Sequence, residues 1–361
     1  MRIVGFLVLG VAGLSAASID GTGPSDSRNL NASGLGIREG NSVVVRQAAV
    51  RAVALLGREV LAWPKENGCF SCHNNGDAFR ALLFAFERKT VADLGAWRET
   101  LGWLDRAQDW RRSGKRPEIP ETDGRLADIQ FGWALAMAVE RGVSTNRLAL
   151  LTVARRLIED QDRDGGWVVE PSPGPGSPAT YGNALATVVA VRILHAAASS
   201  EHDAAIRRAN RWLGQLPIRN VAAAVSFLLW PDSGNRESHS SRRKEAIGFL
   251  LDAQTRSGGW GPYRDAPAEV FDTSLAMLAL AEAGAVGEML QARIKESRDR
   301  GFELLVRLQE SDGGWPATTR PSGNESYAQR ISTTAWAIMA LLSEDVSRRS
   351  GVPAVRRPGG P

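Results

Sequence analysis

The sequence predicts an all-α protein, with six helical hairpins closed into one (α/α)6 toroid. Three observations carry this prediction. A Gln-x-x-Asp/Ser-Gly-Gly-Trp segment recurs as Gln161–Trp167, Gln254–Trp260 and Gln309–Trp315. Glutamines also end successive helical pairs at Gln108, Gln161, Gln215, Gln254 and Gln309, a period near 50 with one shortened unit, as expected of stacked helical hairpins. The two members of each hairpin differ in composition. Phe131–Ala138 and Thr333–Ala337 are built of small and aromatic residues, whereas Val153–Asp160 carries charges. A helix apolar all round must be buried and an amphipathic one faces water, so two concentric rings satisfy both.

Taken in order, Arg2 precedes the apolar run Ile3–Leu14 and the small residues Ser15–Ser18. That layout predicts a cleavable signal over 1–18 and a secreted or periplasmic protein, because the run is too short to span a bilayer. Residues 19–41, rich in Gly, Ser and Asn, read as a disordered linker. The toroid is expected over 42–343, with a tail over 344–361. Ser42 caps a first helix reaching Ala62, which Pro64 should end. Further helices are expected over 77–87, 91–108, 126–140, 144–161, 181–198, 202–215, 218–229, 242–254, 272–283, 287–309 and 331–342. No stretch reads as a strand.

Each repeat has its own logic. Apolar pairs four and three positions before the glutamine (Leu157 and Ile158, Leu250 and Leu251, Leu305 and Val306) mark a buried stripe. The glycines supply the left-handed stop, and the tryptophan buries a large ring in the seam between hairpins. Gln161, Trp167, Gln254, Trp260, Gln309 and Trp315 are therefore structural residues. Asp160, Asp162 and Asp164 imitate the start of a calcium loop, but Pro171 stands where its bidentate glutamate would be. Hydrophobic content of 43% and charge of 23% suit a soluble globular chain. The net charge of +4 comes without any basic-aromatic stripe, which argues against nucleic-acid binding, and no segment reads as a transmembrane span.

The repeat resembles the QW motif of the terpenoid cyclases, the squalene-hopene and oxidosqualene cyclase family. Arg300-Gly301, Leu304-Leu305, Gln309, Gly313 and Trp315 follow its spacing. Protein prenyltransferase β subunits and thioester-containing complement domains share the toroid. The resemblance implies architecture, and chemistry must be argued separately. Hopene-type cyclases protonate an alkene with Asp-x-Asp-Asp-Thr-Ala. The matching stretch here is Glu269-Val270-Phe271-Asp272-Thr273-Ser274, with Phe271 at the acid's place. Phenylalanine cannot supply a proton. Asp272 reads as a helix cap, and Asp272 and Asp128 are the candidates for a relocated acid. Phe131, Trp133, Phe271 and Trp336 are candidate walls for a carbocation. No Asp-Asp-x-x-Asp magnesium site, prenyltransferase zinc cysteine or complement Cys-Gly-Glu-Gln thioester is present.

The remaining chemical signature is Cys69-Phe70-Ser71-Cys72-His73, which holds the only two cysteines. Cys-x-x-Cys-His is the c-type haem attachment pattern, in which both thiols bind the macrocycle and the histidine is the proximal ligand of the haem iron. A small-loop disulfide, a zinc site needing a distant fourth ligand, and a thioredoxin-like pair are the competing readings. His195, Met137, Met277 and Met339 sit on inner helices, and His202 and His239 read as surface or loop residues, so no sixth ligand stands out. The leading expectation is an exported toroid bearing haem c, with a redox or ligand-binding role. It would have a redox partner, or an apolar or small-molecule ligand in the ring cavity. The rivals are a cyclase-like enzyme with a relocated acid, and a non-catalytic scaffold or glycan-handling module.

Overall fold

The computed structural model describes residues 29–343 except 113–120, 172–173, 233–236, 285, 321–322 and 324–325, with side chains from Val43 onward save at 112, 121–123 and 237–238. The expected signal and tail lie outside these residues. The chain divides between Ser42 and Val43, and the ring lies in the second unit.

Among the described residues there are twelve α-helices and no strand. The odd-numbered ones are outer: α1 (Asn29–Asn67), α3 (Arg98–Leu104), α5 (Arg147–Glu159), α7 (Asp203–Gln215), α9 (Glu237–Ala253) and α11 (Glu288–Leu308). The even-numbered ones are inner: α2 (Phe79–Glu87), α4 (Glu121–Glu140), α6 (Gly182–Ala197), α8 (Val221–Leu229), α10 (Val270–Ala281) and α12 (Tyr327–Leu342). Each inner helix packs on the next, and α12 returns to α2, so the inner ring is closed. Composition explains the division. All nine residues of α8 are buried, whereas α7 buries only Ala205, Ile206, Ala209 and Leu213. The (α/α)6 toroid is the observed architecture.

The three Gln–Trp segments fasten unit to unit in one way. The glutamine amide N–H groups of Gln161, Gln254 and Gln309 reach two carbonyls each, one in their own turn and one in a neighbouring outer helix. Their oxygens accept from Arg208, Arg300 and Arg51. The indoles of Trp167, Trp260 and Trp315 donate to Leu157, Leu250 and Leu305 carbonyls at 2.9, 2.7 and 2.7 Å. Gln309 closes the circle, because its partners Ala48 and Arg51 belong to α1. Asp160, Asp162 and Asp164 bind Arg111, Arg125, the Gly166 amide and the Trp212 indole.

Four local expectations are corrected. The helix α1 passes Pro64 and runs to Asn67. Proline cannot bond the Val60 carbonyl one turn back, and Asn75 Nδ2 takes that carbonyl at 3.2 Å instead. Residues 29–41 of the expected linker are helical, although they carry no apolar stripe. The expected helix over 91–108 is broken into a 3₁₀ turn at Gly95–Trp97, the short α3 and a second 3₁₀ turn at Ala107–Arg112. Asp93 captures the Gly95 amide at 2.9 Å, as a turn residue does. His202 is buried, its Nδ1 3.2 Å from the Leu194 carbonyl, and His239 rides on α9 with its ring 4.8 Å from that of Trp230.

Candidate functional site

The turn from α1 into the first inner helix differs from the other turns. Ser71 accepts the amide N–H groups of His73 and Asn74, and Cys72–Ala78 winds as a π-helical turn into α2. Such turns are often found where a helix re-aims side chains for function. Here it brings His73 and Asp77 toward Ser332 of α12. Ser332 Oγ lies 3.3 Å from His73 Nδ1 and donates to Asp77 Oδ2 at 2.7 Å. Gln130 Nε2 adds a bond to Asp77 Oδ2 at 3.3 Å, and the Tyr181 hydroxyl donates to Asp77 Oδ1. Arg80 Nη1 donates to the same hydroxyl at 3.0 Å, and Arg80 Nη2 stands 3.5 Å from Asp77.

Burial is the largest influence on these groups. It pushes the Asp77 carboxyl up, against the pull of Arg80 and Tyr181, and pushes His73 down toward the neutral imidazole, against Asp77. The Tyr181 phenol is held well above its ordinary range, again chiefly by burial. Tyr181 reaches this position from a left-handed backbone, φ 68°, at the end of the loop before α6.

Cys69 and Cys72 are half-buried and not joined in a disulfide. A c-type haem needs two thiols and an imidazole whose Nε2 can meet iron. The side chains present include that set: His73 Nδ1 lies 3.3 Å from Ser332 Oγ, and its Nε2 lies 3.8 Å from Cys72 Sγ. Engagement of the far ring nitrogen by a hydroxyl backed by a carboxylate is how ligating histidines are oriented. A groove of about 670 Å3 also adjoins Phe70, with Leu61 as a second apolar wall and Lys65, Arg98 and Arg106 along it. Among the described residues no cluster of three His, Cys, Asp or Glu side chains could hold a bare metal ion.

A separate cavity of about 290 Å3 opens where the inner helices end. Trp133, Met137, Leu185, Val188, Trp336 and Met339 line it, and Glu140, Arg141, Arg192, His195 and Glu282 stand among its polar residues. Those polar residues are mostly paired: Arg141 with Glu87, Arg192 with Glu282, and His195 with Asp232. Met277 packs elsewhere, against Gly301.

Asp272 and Asp128 are not brought together, and neither lines this cavity. Asp272 is no cap, which corrects the sequence expectation. It lies in the third position of α10, wholly buried, and binds Arg320, which also binds Glu269 and the Gly176 carbonyl. Burial raises its carboxyl to about 7 in spite of Arg320. Asp128 is pinned between Arg156 and Arg111 at 2.6 Å each and rises to about 6, again by burial. Phe271 is buried with its ring 5.9 Å from that of Trp336. Phe131 packs against Trp103 and Trp110 rather than the cavity. The pattern missed Asp77, Arg80, Tyr181 and Ser332 altogether. Only the export-type Cys-x-x-Cys-His signal pointed near them.

Residues 217–357 match the squalene-hopene cyclase C-terminal domain. A lanosterol synthase from Aspergillus fumigatus is 28% identical over 130 residues, 35% of this chain and 16% of that enzyme. Among solved structures, a variant of the type II terpene cyclase MstE from Scytonema, with merosterolic acid A bound, aligns at TM-score 0.52. Its identity is 13%, over 86% of this chain and 99% of that one. The ring is terpenoid cyclase-like. A glycosidase aligns equally well, at TM-score 0.52 and 14% identity over 85% of this chain and 98% of its own. The terpenoid cyclase-like ring therefore fixes an architecture, and the site must decide the chemistry.

Proposed function

We propose that this is an exported terpenoid cyclase-like toroid that carries haem c on Cys69, Cys72 and His73 and serves a redox or ligand-binding role instead of cyclisation. The observation that carries the reading is the chain from His73 Nδ1 through Ser332 to Asp77, set beside Cys69 and Cys72. It supports the reading because a partner on Nδ1 fixes the ring, and Nε2 would be the nitrogen that holds iron. When bound, haem would supply an iron centre for electron transfer or for holding a small molecule. The protein's own part is to fix His73, to flank the group with Phe70 and Leu61, and to offer Lys65, Arg98 and Arg106 to its acidic edge. His195, Met137 and Met339 lie toward the far ends of the inner helices, at the other cavity.

The test is periplasmic expression with haem-attachment machinery, then a reduced pyridine haemochrome spectrum and the mass of the Cys69–His73 peptide. An α band and one haem mass are expected, both absent in Cys69→Ser/Cys72→Ser. A folded protein with neither overturns the reading.

A second reading, cyclisation by a relocated acid, draws on the match over 217–357 and on the buried carboxyl of Asp272. A group raised to about 7 is a weak acid, whereas alkene protonation needs a strong one. Incubation with squalene is expected to leave it unchanged, and a cyclised product would restore the cyclase reading.

A further inference from the structure

The centre of the ring contains a cation that the fold itself supplies. The guanidinium carbon of Arg80 lies 3.8 Å from the centre of a Trp133 ring and 4.4 Å from that of Trp336, with Tyr181 at 5.6 Å. The side chain is wholly buried. Arginine carries five N–H donors and seldom leaves them idle when buried. Here Nη1 bonds Tyr181, while Nε and Nη2 have no hydrogen-bond partner. Hydrogen bonding alone does not account for the position. What surrounds the guanidinium is aromatic faces and one carboxylate, Asp77, which is the environment that selects an organic cation.

Trp133 and Trp336 belong to two spaces at once. They enclose Arg80, and they line the cavity of about 290 Å3. We infer that Arg80 is the resident occupant of an aromatic cation chamber, and that by filling it Arg80 sets the size and charge preference of what the ring cavity admits. With Arg80 in place, the tryptophan surface turned toward it is taken, and the cavity stops at an apolar wall whose neighbouring ions are mostly paired with one another. Without it, the cavity would extend to the aromatic walls and to a buried carboxylate that has lost its counter-charge. The inference does not depend on haem. It makes Arg80 a specificity-determining residue for the cavity.

The test uses the full chain and methylguanidinium, with tryptophan fluorescence and thermal denaturation as readouts. Arg80→Ala is expected to bind methylguanidinium, quenching fluorescence and raising Tm. Wild type and the volume-filling Arg80→Met should show neither effect. Adding Asp77→Asn to Arg80→Ala should weaken binding by about tenfold or more, because the buried carboxylate is the charge partner. Equal binding by wild type, or no binding by a folded Arg80→Ala protein, overturns the inference. If Arg80→Ala does not fold alone, methylguanidinium present during refolding should restore the native helical circular dichroism. Failure of that rescue while Arg80→Met folds unaided also overturns it.

Discussion

The turn at Gln309–Trp315 and the turn at Cys69–His73 occupy equivalent places in the ring, one in the last unit and one in the first. In the last unit the motif residues themselves do the fastening, through Gln309 to Ala48 and Gly313 and through Trp315 to Leu305. In the first unit that work moves downstream. Asn75 takes the Val60 carbonyl and Thr100, while Asn74 takes Tyr327 and the Glu59 carbonyl. Trp97 donates to Gly57. Two asparagines and a tryptophan hold the seam, and Cys69, Cys72 and His73 make none of these fastening bonds. A repeat protein can thus keep a seam closed while its fastening shifts a few residues along the chain.

Mutations that separate the two turns test this account. The largest effect is expected at Gly313, where φ is +96° and an added Cβ would stand 2.7 Å from the Arg51 carbonyl. Gly313→Ala should lose about 3 kcal/mol or more in urea denaturation, since both backbone strain and a backbone clash apply. Asn75→Ala should follow at about 2 kcal/mol, because it leaves the buried Val60 carbonyl without a donor. Cys69→Ser and Cys72→Ser in the haem-free protein should stay within about 1 kcal/mol. If either approached the cost of Gly313→Ala, the first turn would be a fastening after all.

A separate effect is one of pH. Burial raises Asp272 to about 7 in the fold, and unfolding returns it to the ordinary carboxylate range. The native state therefore holds the extra proton between about pH 4 and pH 7, and stability falls as pH rises through that window. Asp272→Asn has no such proton to lose. Its Tm should decline less than that of wild type over the same range, and parallel profiles would place the titrating group elsewhere.

The ring itself was legible because it is written three times over, in glutamine, glycine and tryptophan at fixed spacing. The inner and outer roles followed from composition. Helix ends were readable where capping was local, and misread where a distant side chain intervened, as Asn75 does for Pro64. The central site was largely illegible. Tyr181 and Ser332 meet Asp77 across 104 and 255 residues of chain, and no periodic signal marks such a meeting. Asp272 showed the same limit, because Arg320 comes to it from 48 residues away.

Closure by Gln309 has a consequence for how the molecule is made. Its contacts with Ala48 and Arg51 join parts of the chain 261 and 258 residues apart. Contacts that distant form late, since loop closure must precede them. Until the last hairpin arrives, the stripe Ala48, Ala49, Ala52 and Leu56 on α1 lacks its final neighbour. A nascent chain therefore presents an unfinished arc with two sticky edges, and an arc of this kind can pair with a second arc as readily as with itself. Dilute, slow refolding should favour single rings, and crowded refolding should favour exchanged dimers.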